Sequence, residues 1–390
     1  MFNMERFYQF SQKEYKLIKY AENMRDGRQK AQIPTSTIFM SIVLKTVWQR
    51  KSMLQLDQML RLKVFAKYLP SPKANTVSDT TIQRSLATFD LENVRKCLAN
   101  MYDKNASQMK TEIGDKKLKI AAIDGSFMSK FWASCILVIG PDWNLFLDAQ
   151  AMPKRGTELP TSQAMLERLV EQRGHAFVDV LLLDGLYFAQ NFINCANRAS
   201  IDVICKTREA TLSVIKDANA LFDNNTLEAF CEIEYVKAFD YNRLCEFKIC
   251  ACSGFVQDGI HKTLKIARIQ EFYPKSNKTE IFYVISTRSD LSAFELRELG
   301  HLRWQIENNG FKSLNSLAFT KRVFTHHPHT FLAFLLTSFV AFNLITLFLA
   351  SLDTALFSAI FGKAKFTLLL FCFFLLASLF TQDTLCFQDS

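Results

Sequence analysis

The stretch VDVLLLDG, residues 178–185, repeats a pattern that occurs earlier in KLKIAAIDGSF, residues 117–127. In both stretches four apolar residues lead directly into Asp-Gly, once at Asp124 and once at Asp184. A short apolar run of this kind is typical of a buried strand, and Asp-Gly is typical of a turn. A carboxylate at the carboxyl end of a buried strand is held rigidly and faces a crevice. The two stretches therefore predict two buried strands that each present an aspartate at their end.

The segments around these two strands predict an α/β fold with a mixed sheet. Strands are expected in SCILVIG and LFLDAQAM, which flank a PDWN turn, and again in IDVICKT. Helices are expected in GTELPTSQAMLERLVEQRG, which ends at Gly174, and in FAQNFINCANRA. The predicted order is three strands, helix, strand, helix, strand, which is typical of helices packed on a mixed sheet.

Residues 1–110 predict a helical region. The stretch 38–62 is apolar along a helix-length segment. Ser78 or Asp79 can cap a further helix, whose apolar residues continue to Met101.

The predicted secondary structure changes twice after residue 209. Residues 210–285 contain four strand-like stretches with little helix between them, which predicts a β-rich insertion. The pattern then returns to helix over about 291–317. In that helix Arg303 and Glu307 are four residues apart and are expected on one face.

The composition limits the classes of protein that need to be considered. Hydrophobic residues make up 49% of the 390 residues and charged residues 22%, which argues against general disorder. The formal net charge of +9 favours a polyanionic partner, because lysine and arginine displace counterions from phosphates. The ten cysteines form no CxxC pair, and the first residues lack an apolar secretory core. We therefore expect free thiols in a reducing cytoplasm.

The paired aspartates predict metal chemistry. Two hard divalent cations about 4 Å apart need several carboxylate oxygens that converge on one point. Asp124 and Asp184 supply two such carboxylates, and Glu307 on a later helix is the best candidate for a third. The alternatives are that the aspartates only form turns before glycine, and that Arg303 and Glu307 only form a solvated helix pair.

The ordered combination of these residues resembles the bacterial insertion-sequence DDE transposases that have an RNase H-like catalytic domain and a β-rich insertion before the glutamate. The resemblance is carried by KIAAIDGS, VLLLDGLYFAQNFINCANRASIDVICKTR, FYVISTRSDLSAFELRELGHLRWQIENNGFKSLN and FTHHPHTFLAFLLTSFVAFNL. These transposases have a Tyr-x2-Arg-x3-Glu-x6-Lys signature around the third carboxylate. This chain has Arg303 and Glu307 at that spacing, but Gly300 stands at the tyrosine position and Leu314 at the lysine position.

The resemblance implies an activity and a set of partners. It implies a DNA transposase in which Asp124, Asp184 and Glu307 together hold two divalent ions, either Mg²⁺ or Mn²⁺. The enzyme would cut element ends and join the freed 3′-hydroxyl to target DNA. Arg303 would bind a DNA phosphate, and the protein would act as a dimer on double-stranded DNA in the cytoplasm, associated with the nucleoid.

The resemblance also assigns roles to the regions of the chain. The expected domains are a helical DNA-binding region at 1–110, an RNase H-like catalytic domain at 111–209 and 286–350, the insertion at 210–285, and an apolar tail at 351–390. The fold class is thus an RNase H-like mixed sheet flanked by helices.

Four further basic residues are candidates for phosphate binding. Lys154 and Arg155 precede the helix predicted after Thr157, where backbone N–H groups also attract anions. Lys206 and Arg208 follow a strand beside the proposed site. The alternative for each pair is a solvated basic loop.

Two other functions remain open from the sequence. A decayed transposase that binds DNA without cutting it is favoured by Gly300 and Leu314. A membrane-associated protein is favoured by two uncharged runs, 331–352 and 366–382, of which the first is long enough to cross a bilayer. The transposase resemblance instead implies that the first run is a buried helix of the catalytic domain.

Overall fold

The computed structural model describes residues 4–62, 67–71, 77–223, 232–240 and 243–352. The chain divides into two compact units. The described parts of the first unit lie within 1–108, 125–155 and 307–352, and those of the second lie within 109–124 and 156–306. The second apolar run, 366–382, and nearly all of the predicted tail lie outside the described residues.

Helices and strands are numbered along the chain. The helices are α1 Met4–Tyr15, α2 Leu17–Asn23, α3 Thr35–Val47, α4 Met53–Leu60, α5 Asp79–Leu86, α6 Leu91–Asn105, α7 Glu158–Arg173, α8 Gln190–Arg198, α9 Ser213–Phe222, α10 Ala293–Leu302, α11 Lys312–Ala318 and α12 Pro328–Ser351. The strands are β1 Thr111–Ile113, β2 Lys116–Leu118, β3 Ile120–Met128, β4 Phe131–Ile139, β5 Asn144–Ala151, β6 Val180–Asp184, β7 Asp202–Thr207, β8 Glu232–Asp240, β9 Arg243–Phe255, β10 Leu264–Tyr273 and β11 Lys278–Ser286. Short 3₁₀ turns occupy Gly185–Tyr187 and Pro274–Ser276, and a π-helical turn occupies Ile306–Phe311.

The predicted order of three strands, helix, strand, helix, strand is confirmed by β3 to β7 with α7 and α8 between them. Two predicted continuous helices are wrong, because a polar residue begins a new helix inside each. Ser52 accepts a hydrogen bond from the N–H of Gln55 and starts α4, and Asp90 accepts one from the N–H of Glu92 and starts α6. Ser78 caps α5 as expected, through the N–H of Thr81.

Strands of the second unit form a mixed sheet in the order β3-β6-β7-β11-β10-β9-β8. β3, β6 and β7 are parallel, and every later pair is antiparallel. The strands predicted within 210–285 therefore continue the sheet outward from β7, and the segment also contains the unpredicted helix α9. Helix α10 packs against strands from β6 to β11, and α8 packs on β7.

The first unit contains the other end of β3, residues 125–128, followed in strand order by β4 and β5. β4 and β5 form an antiparallel hairpin whose last pair is Ile139 with Asn144. Helix α12 packs on β5 and on helices of the N-terminal region, among them α3 and α6. The large mixed sheet flanked by helices confirms the predicted α/β fold class.

Helix α12 is the core of the first unit. It is long and apolar enough to cross a membrane, yet the most apolar 18 residues of it are entirely buried within the protein. The ring of Phe146 on β5 stacks on Phe339, with centroids 4.0 Å apart, and meets Phe342 edge-on at 5.1 Å. A buried core helix explains this apolar run, so the structure gives no support for a membrane anchor at 331–352.

Two hydrogen bonds of the Asn343 side chain connect the centre of α12 to β5. Its side-chain oxygen accepts a hydrogen bond of 2.9 Å from the N–H of Phe146, and its amide nitrogen donates one of 2.8 Å to the carbonyl of Phe146. Asn343 is fully buried. A buried backbone group that loses its partner costs about 1–3 kcal/mol, so this one side chain satisfies two expensive groups of β5.

We predict that Asn343→Leu lowers the free energy of unfolding by about 2–5 kcal/mol, because it leaves both backbone groups of Phe146 without partners. Thr346→Val is the matched control, since the buried hydroxyl of Thr346 has no hydrogen-bond partner among the described residues. That control should be neutral or stabilising. Urea unfolding followed by circular dichroism measures both, and equal losses in the two variants would contradict the role given to Asn343.

Candidate active site on three parallel strands

Asp124, Asp184 and Lys206 form a row across the parallel strands of the second unit. β3 and β6 pair as Ile120 with Val180 through Ala122 with Leu182, and both aspartates lie two residues beyond that last pair. β6 and β7 pair Asp184 directly with Lys206. Neighbouring strands lie about 4.8 Å apart, and residues in parallel register face the same side of a sheet. The three side chains therefore emerge side by side on one face.

The turn after β6 holds Asp184 in place. One of its side-chain oxygens, Oδ1, accepts a hydrogen bond of 2.8 Å from the N–H of Leu186. Glycine is required at Gly185, because a Cβ there would lie 2.6 Å from the hydroxyl of Thr207. The buried Tyr187 then donates a hydrogen bond of 2.8 Å to Glu158 on α7. Burial, together with the charge of Glu158, raises the pKa of Tyr187, so this phenol stays protonated as a donor.

Arg303 brings a positive charge to Asp124. It caps the C-terminal end of α10, directly after Leu302, and its N–H donates to the carbonyl of Leu299. Its guanidinium Nη1 lies 3.7 Å from Oδ2 of Asp124, and the two side chains are only 12% and 14% exposed. That distance is longer than a hydrogen bond, so the contact is an ion pair between two partly buried charges.

The position of α10 depends on a buried ionic cluster. Oε1 of Glu271 on β10 lies 2.7 Å from Nε of Arg297 and 2.7 Å from Nε2 of His301. The hydroxyl of Tyr273 donates to the other oxygen of Glu271 at 2.8 Å. Burial raises the pKa of Glu271, but the hydrogen bond and charge of His301 and the charge of Arg297 outweigh it and lower the pKa to about 2. The last two turns of α10, which lead to Arg303, are thereby held against the sheet.

Lys206 lies between two aromatic rings. Its ammonium is 3.9 Å from the ring centroid of Phe282 and 5.2 Å from that of Trp304. Burial lowers the pKa of Lys206 to about 8, helped by the charges of Arg303, Arg208 and Arg297 and opposed by Glu271. A lysine held over aromatic faces keeps part of its charge at neutral pH and can still donate to a phosphate.

Glu307 lies in a π-helical turn, and the predicted single helix over 291–317 is wrong. α10 ends at Leu302, the π-helical turn occupies Ile306–Phe311, and α11 follows. The one-face relation predicted for Arg303 and Glu307 assumed 3.6 residues per turn, which does not hold across this break. Glu307 belongs to the first unit and Arg303 to the second. π-Helical turns are found frequently at functional sites.

The remaining basic candidates fall in different places. Arg208 is exposed beside the row, and its guanidinium lies 2.8 Å from the carboxylate of Glu280. Lys154 and Arg155 are exposed in the first unit, in the loop that follows β5. The second unit thus brings together Asp124, Asp184, Lys206, Arg208 and Arg303, while Glu307, Lys154 and Arg155 lie in the first unit.

The aspartate pair fits a hard divalent cation. Carboxylate oxygens are the ligands that Mg²⁺ and Mn²⁺ prefer, and two carboxylates on adjacent strands face the same side. Oδ1 of Asp184 accepts the hydrogen bond from the N–H of Leu186, and Oδ2 makes no hydrogen bond within the described part of the chain. Within the described ranges no group of three or more His, Cys, Asp or Glu side chains is arranged to hold a metal. Asp124 and Asp184 could together hold such a cation between β3 and β6.

Sequence reasoning missed two parts of this site. Trp304 is 44% exposed and contacts Lys206, yet its neighbours in the sequence give no sign of the contact. The cluster around Glu271 was also missed. Arg297 and His301 are four residues apart on a predicted helix, which is a detectable signal, but only the structure identifies the glutamate that they share.

Comparisons with known proteins include a weak structural similarity. No family model matches the chain, and no curated protein sequence matches it. Among solved structures, a piggyBac transposase in a synaptic complex with hairpin DNA, determined by cryo-electron microscopy, is similar with a TM-score of 0.42. The two share 10% sequence identity, over 90% of this chain and 76% of that one.

The structure gives a packing reason for both departures from the signature. A Cβ on Gly300 would lie 2.9 Å from a methyl group of Val284 and close to Phe282 and Lys206. Leu314 is fully buried in α11. A tyrosine does not fit at the first position, and a lysine at the second would place a charge in the core of the first unit.

We predict that Gly300→Tyr lowers the free energy of unfolding by about 2 kcal/mol or more, because the ring would overlap Val284. The test is a urea unfolding series that includes Gly300→Ala and the pair Gly300→Ala with Val284→Ala. Removing the Val284 methyl groups should recover part of the cost of the Gly300→Ala change. A Gly300→Tyr protein as stable as the wild type would show that the helix can move away from the sheet.

Proposed function

We propose that this protein is a DNA transposase that cleaves the ends of a mobile element with divalent metal ions and transfers the 3′-hydroxyl to target DNA. The observation that carries the proposal is the row of Asp124, Asp184 and Lys206 across three parallel strands, with Arg303 beside Asp124. The two aspartates would supply metal ligands, and Lys206 and Arg303 would supply phosphate contacts. Phosphoryl transfer requires both.

Asp124 and Asp184 would hold Mg²⁺ or Mn²⁺, and Glu307 is proposed as the third carboxylate. Bound metal would activate water or a DNA hydroxyl and stabilise the leaving oxygen. The chain's own part is to keep the two aspartates rigid on adjacent strands, through the register of β3 and β6 and through the hydrogen bond by which Asp184 caps the turn after β6. Support for Glu307 comes from its place four residues after Arg303, as in the transposase signature.

The cations of the second unit are proposed to bind the DNA backbone. Arg303 and Lys206 approach the row from α10 and β7, and Arg208 lies exposed near its edge. Guanidinium groups bind phosphate oxygens in pairs, and lysine adds a point charge. Lys154 and Arg155 would extend backbone binding within the first unit. Transposition joins paired ends, so we propose a dimer on double-stranded DNA, in the cytoplasm and associated with the nucleoid.

The second candidate is a relative of such enzymes that binds DNA without cutting it. Gly300 and Leu314 favour it, because both positions are packed so that neither residue of the usual signature fits. Asp124 and Asp184 are both present on adjacent strands in register, which favours the active enzyme. Cleavage assays separate the two candidates directly.

We predict that DNA carrying the sequences that flank this gene is cut in Mg²⁺ or Mn²⁺ and is not cut in EDTA. Asp124→Asn, Asp184→Asn and Glu307→Gln should each lower the cleavage rate by about a hundredfold or more, because each removes a charged metal ligand. Asp258→Asn is the control, since Asp258 is an exposed loop residue of the second unit. Gel-shift binding of the same DNA should stay within about threefold in all four variants.

The outcomes of that assay discriminate between the candidates. Binding without any cutting by the wild type would support the inactive relative. Undiminished cutting by the Asp184→Asn protein would contradict the assignment of the site.

We predict that DNA affinity falls as the pH rises from 7 to 9, because the pKa of Lys206 is lowered to about 8. Below pH 8 the folded protein keeps the ammonium charged for phosphate binding, and above it the charge is lost. Lys206→Arg should remove this pH dependence, since arginine stays charged. Fluorescence anisotropy with labelled duplex DNA at constant ionic strength measures the effect.

Arg208→Gln is the control for the pH series. It should weaken binding about equally at every pH of the series, because it removes a permanently charged guanidinium. A wild-type affinity that is flat between pH 7 and 9 would show that Lys206 does not contact the DNA.

A further inference from the structure

Two aromatic side chains form an exposed pair at the β3–β4 turn of the first unit. The ring centroids of Phe127 and Trp132 are 5.1 Å apart, and Phe127 is 51% exposed. The strands are joined only by Ser129 and Lys130, both of which have positive φ. Such a two-residue turn brings the side chains on its two flanks together.

The pair is turned away from the core of the unit. Phe131 stacks on the buried Phe331 of α12, with centroids 5.1 Å apart and ring planes 25° apart. Successive side chains of a strand point to opposite faces, so Trp132 lies on the face opposite to Phe131. β4 therefore contributes Phe131 to the core of the unit, whereas the Phe127–Trp132 pair lies at the surface.

Basic residues surround this pair. Ala133 pairs with Ala151, and the N–H of Met152 donates to the carbonyl of Trp132, which places the loop after β5 beside the ring. In that loop the guanidinium of Arg155 lies 6.0 Å from the Trp132 ring centroid. The segments 125–133 and 152–157 contain Lys130, Lys154 and Arg155 and no acidic residue. Phe127, Lys130, Trp132, Lys154 and Arg155 are together called the aromatic–basic tip.

We propose that the aromatic–basic tip binds single-stranded DNA by stacking unpaired bases on Phe127 and Trp132 while the three cations contact the backbone. Aromatic faces set among basic side chains are the general means of binding unpaired nucleotides, because every base has a face that stacks. A protein-docking surface is less consistent with the charges, since charged residues are depleted at the centre of such interfaces. The inference rests on the proposed function in taking DNA as the partner.

The test compares three labelled DNA probes by fluorescence anisotropy in EDTA, so that no cleavage occurs. One is a blunt duplex, one carries a short single-stranded overhang, and one carries an overhang of the same length without bases. The wild type is expected to bind the base-bearing overhang about tenfold more tightly than the abasic one, since stacking contributes on that order. The abasic overhang keeps every phosphate and therefore isolates the contribution of the bases.

Four variants assign that preference to the tip. Phe127→Ala should abolish it, and Phe127→Leu should abolish it as well, because leucine keeps the apolar surface but loses the aromatic face. Arg155→Gln should weaken both overhang probes by similar factors. Val256→Ala, at a residue that is 71% exposed in the second unit, should change nothing. Thermal unfolding of each variant confirms that the fold is retained.

Equal wild-type affinity for the base-bearing and abasic overhangs would overturn the inference. So would a preference that survives in Phe127→Leu, because the contact would then be apolar and not aromatic. Either result leaves the proposed transposase intact, since binding to DNA itself remains. Failure to bind any of the three probes would instead overturn the inference together with the proposed function.

Discussion

The in-register pairing of β3, β6 and β7 is the constraint on which the candidate site depends. The side chains of a strand alternate between its two faces, so a slip of one residue in β6 would turn Asp184 to the opposite side of the sheet. The four residues before each aspartate are fully buried, which fixes the register because no slipped arrangement buries them as well. Asp184 is the last residue of β6, whereas Asp124 lies in the middle of β3, where the charge of Arg303 offsets the cost of burying its carboxylate. The same buried residues thus stabilise the sheet and set the spacing of Asp124, Asp184 and Lys206.

Helix α10 supplies the positive side of the site, and two features determine where it lies. A capping box begins it, in which Ser292 accepts from the N–H of Glu295 and the Glu295 side chain accepts from the N–H of Ser292. Near its end, Arg297 and His301 share the buried carboxylate of Glu271. Removing one member of such a buried cluster leaves an uncompensated charge, so the helix has little freedom to shift. Arg303 follows directly and is held beside Asp124.

The sequence was sufficient for features that depend on local pattern. The strand β6 that ends at Asp184, the hairpin of β4 and β5, and the helices α7 and α8 all follow from apolar periodicity and turn residues. The predicted end of the earlier strand at Asp124 is wrong, because β3 continues through Gly125 to Met128 and turns only at Ser129 and Lys130. The breaks at Ser52 and Asp90 were also available, because both are good helix-capping residues, but the continuous apolar pattern was given more weight. The π-helical turn at Ile306–Phe311 had a weaker signal in the poor helix formers of its Asn-Asn-Gly stretch.

Features that depend on register or on distant partners could not be predicted. Nothing near Lys206 in the sequence shows that it aligns with Asp184, because that alignment is set by how far β7 extends along β6. In the same way, Asn343 is one of several polar residues in an apolar run, and only the structure shows that it bonds both backbone groups of Phe146. The apolar run at 331–352 is therefore a core helix, and the side-chain amide of Asn343 connects that helix to β5.

The charges of the row are balanced in a way that links its two proposed ligands. Asp124 and Asp184 carry two negative charges, and Arg303 and Lys206 carry two positive charges below pH 8. A divalent cation alone would leave these four groups with an excess of positive charge, and a DNA phosphate alone would leave an excess of negative charge. Each ligand offsets the charge brought by the other, so for the proposed function the metal and the DNA backbone should bind more tightly together than separately. Loss of the Lys206 proton above pH 8 shifts this balance toward the metal and away from the phosphate, because one positive charge of the row is then missing.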